Sequence, residues 1–139
     1  MLDVLLTEKL DVCAQRGIRL TCCLNQADLG FVEELDLYTL FQNALTNAIN
    51  AVSALPEGQE RFIILSTTRD GNMLSLHTEN PCGEAPAFEN GLPKTRRDPN
   101  EHGYGMKSMA RTAEKYGGTV TAQVRDGLFL LDILLLAPN

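Results

Sequence analysis

The sequence contains no uncharged apolar run long enough to cross a bilayer, which excludes a membrane-spanning helix of about 20 residues. It opens on Met1-Leu2-Asp3 with no basic segment and no small-residue cleavage site, so no signal peptide is expected. No C-x-x-C pair occurs among Cys13, Cys22, Cys23 and Cys82, and neither His77 nor His102 stands at a metal-ligand spacing from any of them. A structural zinc site is therefore not expected, and the cysteines read as reduced thiols. Positive charge is in short supply, with a formal net charge of -6 at pH 7. That balance argues against nucleic acid as the partner, and any anionic ligand has to be held by local groups. No G-x-x-x-x-G-K-[ST] motif is present, and the G-x-G at Gly103 and Gly105 lacks the third glycine and preceding strand of a dinucleotide fingerprint.

What is present suits an ordinary folded domain: 139 residues, 44% hydrophobic, enough to bury a core without staples. We expect one domain over residues 1–139. The most informative stretch is residues 37–52, LYTLFQNALTNAINAV. At about 100° per residue, Leu37, Leu40, Phe41, Ala44, Leu45, Ala48, Ile49 and Val52 gather on one core-facing sector of a helix. Asn43, Asn47 and Asn50 fall together at its border, and the first two, four apart, lie one above the other. Each asparagine costs the helix roughly half a kcal/mol relative to alanine. Their amides are either a solvated helix edge or a set of carbonyl oxygens and N–H donors suited to a hard cation and phosphate oxygens. Asp36, just before the apolar run, predicts the N-cap.

The flanking segments order themselves around this helix. Residues 1–16 read as an amphipathic helix stopped by Gly17, and residues 18–24 as a strand. Residues 25–34 read as a polar connection. After the breaker Leu55-Pro56-Glu57-Gly58, residues 61–68 and 73–78 predict two strands joined by a hairpin at Arg69-Asp70-Gly71-Asn72. Residues 81–101 hold four prolines, Pro81, Pro86, Pro93 and Pro99, with no apolar period, and read as irregular. Such a stretch is either a solvated loop or a functional lid, and it carries Lys94, Arg96 and Arg97. Residues 106–116 have the helical stripe Met106, Met109, Ala110, Ala113 and Tyr116, ended by Gly117-Gly118. Two glycines ahead of a helix start let the backbone approach an anion closely. Residues 119–124 and 128–136 close the chain as a hairpin whose nearly all-apolar last strand belongs in the interior of a sheet.

With these pieces in order the sequence resembles the GHKL, or Bergerat-fold, ATPases, the family that takes in gyrase, heat-shock chaperone ATPases, mismatch-repair ATPases and sensor histidine kinases. NALTNAINA resembles the N box, and HGYGMKSMARTAEKYGG the second glycine box with its following helix. Together with LLTEKLDVCAQRGIRL, these segments are similar to sensor kinases of the peptide-quorum-sensing (AgrC-like) branch. The likeness runs over nearly the whole chain. It implies a two-layer α/β sandwich, a mixed and mostly antiparallel sheet with three helices on one face and an ATP lid at about residues 81–105.

The resemblance also implies ATP and Mg as ligands. Asn47 matches the asparagine that helps hold Mg, and Asn43 stands where hydrolysing relatives carry a glutamate that activates water. Asn80 is the best match to the aspartate that reads adenine, here in Glu79-Asn80-Pro81-Cys82-Gly83. Gly103 and Gly105 match the lid glycines, and Lys94, His102 and Met106 complete the implied nucleotide site, with no catalytic side chain in the chain itself. Neither His77 nor His102 resembles a phosphoacceptor, so the resemblance implies an isolated catalytic domain. Its partners would be a phosphoacceptor domain of the parent kinase and, indirectly, a response regulator. The domain would be cytoplasmic, without membrane contact of its own, under a parent receptor in the plasma membrane. Two other functions share the fold: a degenerate nucleotide-binding or interaction module, and an anti-sigma-type serine kinase.

Overall fold

The structure is a computed structural model describing residues 2–83, 88–89, 92–93 and 102–138. Lys94, Arg96 and Arg97 lie outside the described residues, and for residues 88–89, 92–93 and 102–104 only the backbone is described. In chain order the elements are α1 (Leu2–Gln15), β1 (Arg19–Cys23), a 3-10 turn (Gln26–Leu29), α2 (Glu34–Ser53), β2 (Phe62–Asp70) and β3 (Met73–Pro81). They continue through β4 (Phe88–Glu89), β5 (Leu92–Pro93), α3 (His102–Lys115), β6 (Thr119–Arg125) and β7 (Leu128–Leu136).

The main sheet has the order β1-β2-β3-β7-β6, with β1 and β2 parallel and every other pair antiparallel. The fold is thus the expected mixed, mostly antiparallel α/β sandwich. The strands alternate as a half-buried sheet must. On β3, Leu74, Leu76, Thr78 and Asn80 are buried while the residues between them are not. Ile63, Leu65 and Thr67 of β2 and Phe129, Leu131, Ile133 and Leu135 of β7 share that covered side. The helices lie across it in chain order, α1 on β1, α2 on β2 and β3, and α3 on β6 and β7. As its composition requires, β7 has a partner on both sides.

At the centre of the core is α2, whose Leu40, Phe41, Ala44, Leu45 and Val52 have no exposed surface. Its neighbours end alike. Gly17 and Gly117 both take φ +69°, and the amide after each reaches back to the helix, Ile18 to the Cys13 carbonyl and Gly118 to the Ala113 carbonyl, each at 2.8 Å. This is the glycine ending that satisfies the last helical carbonyls. Gly118 has a second reason to be glycine: a Cβ there would fall 1.6 Å from the Leu134 carbonyl oxygen.

The structure corrects several boundaries. The N-cap of α2 is Glu33, which makes no side-chain capping bond, and Asp36 lies inside the first turn. The Asp36 carboxylate is drawn instead to a hydroxyl and an ammonium on the neighbouring helix, partners stronger than a backbone N–H. α3 begins at His102 rather than Met106, so Gly103 and Gly105 belong to the helix start instead of preceding it. Two glycines disfavour a helix by roughly 1 kcal/mol each, and burial of Met106, Met109 and Ala113 offsets that. Finally, β3 runs on to Pro81, and the proline-rich stretch contains the short antiparallel pair β4–β5. A two-residue strand is too brief to show alternation, which is why periodicity misses it.

Candidate functional site

The asparagine flank of α2 faces α3. At residue 105 the two helices come so close that a Cβ on Gly105 would stand 3.2 Å from Asn43 Oδ1 and 3.7 Å from its Cγ. Asn43 is held there by its own helix, its Nδ2 donating to the Thr39 carbonyl at 2.9 Å. The amide is thus presented with its oxygen toward Gly105. Asn47, one turn further on, is half-buried, and its side chain makes no hydrogen bond among the described residues. Asn50 is exposed. Met106 is 5% exposed and packs into the core beside Met109 and Ala113, so it anchors α3.

Asn80 lies near the end of β3 on the covered side of the sheet, with no exposed surface. Its Nδ2 donates to the Pro81 carbonyl at 3.0 Å, and its Oδ1 is buried without a partner among the described residues. Among the described residues two other buried side-chain oxygens lack partners, Gln42 Oε1 and Thr46 Oγ1, both on α2. Just beyond Asn80, a Cβ on Gly83 would meet Leu55 Cδ2 at 3.8 Å, so this strand end approaches the C-terminal end of α2. Along α2, then, the features run from Gly105 against Asn43, through Asn47, to the Leu55 end beside the segment that follows Asn80. Among the described residues no hydrogen bond joins Asn80 directly to Asn43 or Asn47.

A second cluster fastens α3 at its far end. The Tyr116 hydroxyl donates to Asp36 Oδ2 at 2.5 Å and accepts from the Glu33 N–H at 3.0 Å. Lys115 Nζ reaches the same Asp36 oxygen at 2.9 Å. The hydrogen bond from Tyr116, followed by that from Lys115, holds the Asp36 carboxyl below its ordinary pKa. Burial, then the hydrogen bond to Asp36, pushes the Tyr116 phenol up. The clasp is therefore a charged carboxylate with a neutral phenol at neutral pH.

On the opposite face of the sheet His77 is held between two carboxylates, Nδ1 at 2.6 Å from Asp132 and Nε2 at 2.8 Å from Glu79. Burial opposes its charge, and the two carboxylates together overcome it, raising the imidazole pKa. With both ring nitrogens engaged, His77 presents neither to a phosphate. All four cysteines are free, and burial pushes the thiols of Cys13, Cys22 and Cys82 up. These three are protonated at neutral pH and poor nucleophiles. Among the described residues no helix is long and apolar enough to cross a membrane, and no group of three or more His, Cys, Asp or Glu could hold a metal ion.

The profile of the GHKL domain family matches residues 32–136, from just before α2 to the end of β7. The chain belongs to the GHKL family. The matched span of this GHKL domain takes in the asparagine helix, Asn80 and the Gly103–Gly105 helix start, and leaves α1 and β1 ahead of it. No curated protein sequence matches the chain. Solved histidine kinases share its fold. The catalytic domain of histidine kinase ThkA, in a nucleotide-free form, superposes with a TM-score of 0.71 at 15% identity over 98% of this chain and 92% of that one. Histidine kinase AdeS of Acinetobacter baumannii gives 0.69 at 13% identity over 99% of this chain. The blue-light activated histidine kinase EL346 of Erythrobacter litoralis gives 0.64 at 14% identity over 93% of this chain. The GHKL domain described here spans 66% of the AdeS chain and 39% of the EL346 chain.

Among the residues that sequence reasoning singled out, the structure brings Gly105 and Asn43 into contact range and buries Asn80 and Met106. Reasoning from periodicity missed the Asp36, Lys115 and Tyr116 cluster. The available signal was chemical: a tyrosine at the end of an apolar stripe carries a hydroxyl that needs a partner wherever the ring packs.

Proposed function

We propose that this GHKL domain, over residues 1–139 with a lid at about 81–105, binds Mg·ATP and presents the terminal phosphate to a histidine on a separate dimerisation domain. That is the work of a sensor histidine kinase catalytic domain of the peptide-quorum-sensing (AgrC-like) branch. The observation that carries the reading is Asn80 Oδ1, a buried acceptor near the end of a core strand with no partner among the described residues. Leaving such a group unsatisfied costs about 1–3 kcal/mol, and such a cost is tolerated where a ligand supplies the missing donor. The amino group of adenine is a donor of that kind.

The remaining residues fit a polyphosphate with a hard cation. The first turn of α3 offers backbone N–H groups suited to anionic oxygens, and Gly103 and Gly105 keep that turn bare. Asn43 and Asn47 supply neutral amides, with the Asn47 carbonyl the metal ligand. The site has no carboxylate cluster among the described residues, so the metal would arrive with the nucleotide rather than bind alone. When bound it neutralises charge on the phosphates. Lys94 and His102 complete the proposed phosphate contacts from the lid.

No side chain here is assigned bond-breaking chemistry. Asn43 has an amide, which cannot take a proton from water. Transfer rests on orientation and electrostatic stabilisation, and hydrolysis is slow. The acceptor is a histidine of the parent kinase, a response regulator follows it, and the domain works in the cytoplasm beneath a membrane receptor. The acidic balance leaves nucleic acid outside the scheme.

Incubation with γ-labelled ATP and Mg tests the chemistry. The expected result is nucleotide retained on the protein, with phosphate released no faster than in buffer. Steady phosphate release would contradict the role given to Asn43. A second reading, an interaction module without kinase activity, is favoured by one feature, the neutral Asn80 where the resemblance calls for a carboxylate. No retained nucleotide would support it.

A further inference from the structure

Resting on the nucleotide reading above, we propose that Tyr116 is a positioning residue: it locks the C-terminal end of α3 to the start of α2 and thereby fixes the angle at which α3 carries Gly105 to Asn43, setting affinity for the phosphate part of the nucleotide.

Tyr116 grips several segments at once. Its hydroxyl bridges Asp36 Oδ2 at 2.5 Å and the Glu33 N–H at 3.0 Å. Its ring meets Phe31 edge to face, 6.1 Å between centroids at 76°. Its carbonyl accepts from the Leu136 N–H at 2.9 Å, tying the helix end to the last residue of β7. Phe31 is backed in turn by the Arg69 guanidinium, 5.3 Å from its centroid. These are directional contacts, and their geometry resists rotation.

The rest of α3 is held differently. Met106, Met109 and Ala113 are its buried residues among those whose side chains are described. Methionine adapts its shape to the space available, and alanine offers a small smooth surface. Such packing anchors a helix while leaving its tilt weakly specified. At the functional end, Gly105 has no side chain to key into α2.

Among the described residues the helix is therefore a lever with its directional fixings at one end. Gly105 and Lys115 are ten residues apart in α3, about 15 Å along the axis. A tilt of about 5° about the clasp moves Gly105 by roughly 1.3 Å at that rise per residue. The clearance to Asn43 Oδ1 from a Gly105 Cβ position is only 3.2 Å, so a displacement of this size changes what fits between the helices. A carboxylate kept charged by its partners gives the clasp a constant form at neutral pH.

A purely structural staple and a positioning clasp differ in what they do to ligands of different length. Tyr116→Phe keeps the ring against Phe31 and removes both hydroxyl bonds. The probes are a non-hydrolysable ATP analogue with Mg, titrated calorimetrically, and adenosine, followed by NMR shifts at millimolar concentration. Adenosine has a base for Asn80 and no phosphate to reach Gly105. For Tyr116→Phe the expected result is ATP-analogue affinity weakened on the order of tenfold, with adenosine affinity as in the unsubstituted protein. Asp36→Asn, which keeps an acceptor for the hydroxyl and loses the ion pair, should fall between the two and serves if Tyr116→Phe does not fold. A lower melting temperature with ATP-analogue affinity within twofold of the original would overturn the proposal, as would an equal loss for both ligands. If the unsubstituted protein binds neither probe, the nucleotide reading itself fails and the positioning role falls with it.

Discussion

Replacing Gly105 by alanine puts a methyl group 3.2 Å from Asn43 Oδ1, 3.7 Å from its Cγ and 3.9 Å from its Cβ. Two effects on stability then oppose each other. Alanine in place of glycine within a helix is favourable by roughly 1 kcal/mol. Against this, Asn43 must yield by a few tenths of an ångström, which strains or breaks its 2.9 Å bond to the Thr39 carbonyl, a net loss of about 1 kcal/mol. The fold should thus be nearly unaffected, its melting temperature moving by no more than about 4 °C. Ligand binding should respond very differently. The methyl group fills the space through which the backbone of α3 would approach a phosphate, and at least about a tenfold loss of ATP-analogue affinity follows, equivalent to about 1.4 kcal/mol. Thermal unfolding of the free protein and calorimetric titration of the analogue measure the two sides separately. A variant stabilised by the full helical gain and binding the analogue as before would refute the reasoning, because the space beside Gly105 would then be no part of a ligand site.

The other predictions concern three different parts of the molecule. Asn47→Ala should raise stability slightly, by about half a kcal/mol of helix propensity, while abolishing the Mg-dependent part of ATP-analogue affinity; calorimetry with and without Mg would contradict this by giving the same Mg increment as before. Gly118→Ala should cost about 3 kcal/mol or more, since its Cβ would lie 1.6 Å from the Leu134 carbonyl oxygen and only backbone movement relieves that; a urea midpoint unchanged from the original would show the contact to be wrong. For His77, the folded pKa is raised, so the stability it contributes is complete below the unfolded value near 6.5 and is lost as pH rises through the folded value. The difference in urea midpoint between the original protein and His77→Gln should therefore shrink on going from pH 6 upward through that range, and a difference growing with pH would reverse the sign of the argument.

Much of the architecture was legible in the sequence because the chain's apolar periods are strong where the core is deep. Of the eight positions the wheel places on one sector of α2, seven are buried and the eighth, Leu37, is half-buried, and the apolar run of β7 became a strand with partners on both sides. Boundaries failed where a local rule competed with a distant partner. Asp36 has the chemistry of an N-cap, yet Tyr116 and Lys115, eighty and seventy-nine residues away, take its carboxylate. Gly103 and Gly105 signal a break in a helix, yet burial of the methionines and Ala113 carries the helical turn back through them. The candidate site was legible only in part. Residue types marked Asn43 and Gly105 as worth attention, but their proximity depends on how α3 crosses α2, and no spacing within either segment encodes that. The burial of Asn80 likewise follows from which face of β3 the helices cover, a property of the whole sheet.

The most direct test of a nucleotide site is calorimetric titration of this chain with a non-hydrolysable ATP analogue, with and without Mg. The account predicts binding that weakens when Mg is withheld. No binding at millimolar analogue in the presence of Mg would contradict it and would leave the orphaned Asn80 oxygen to be explained by a different partner.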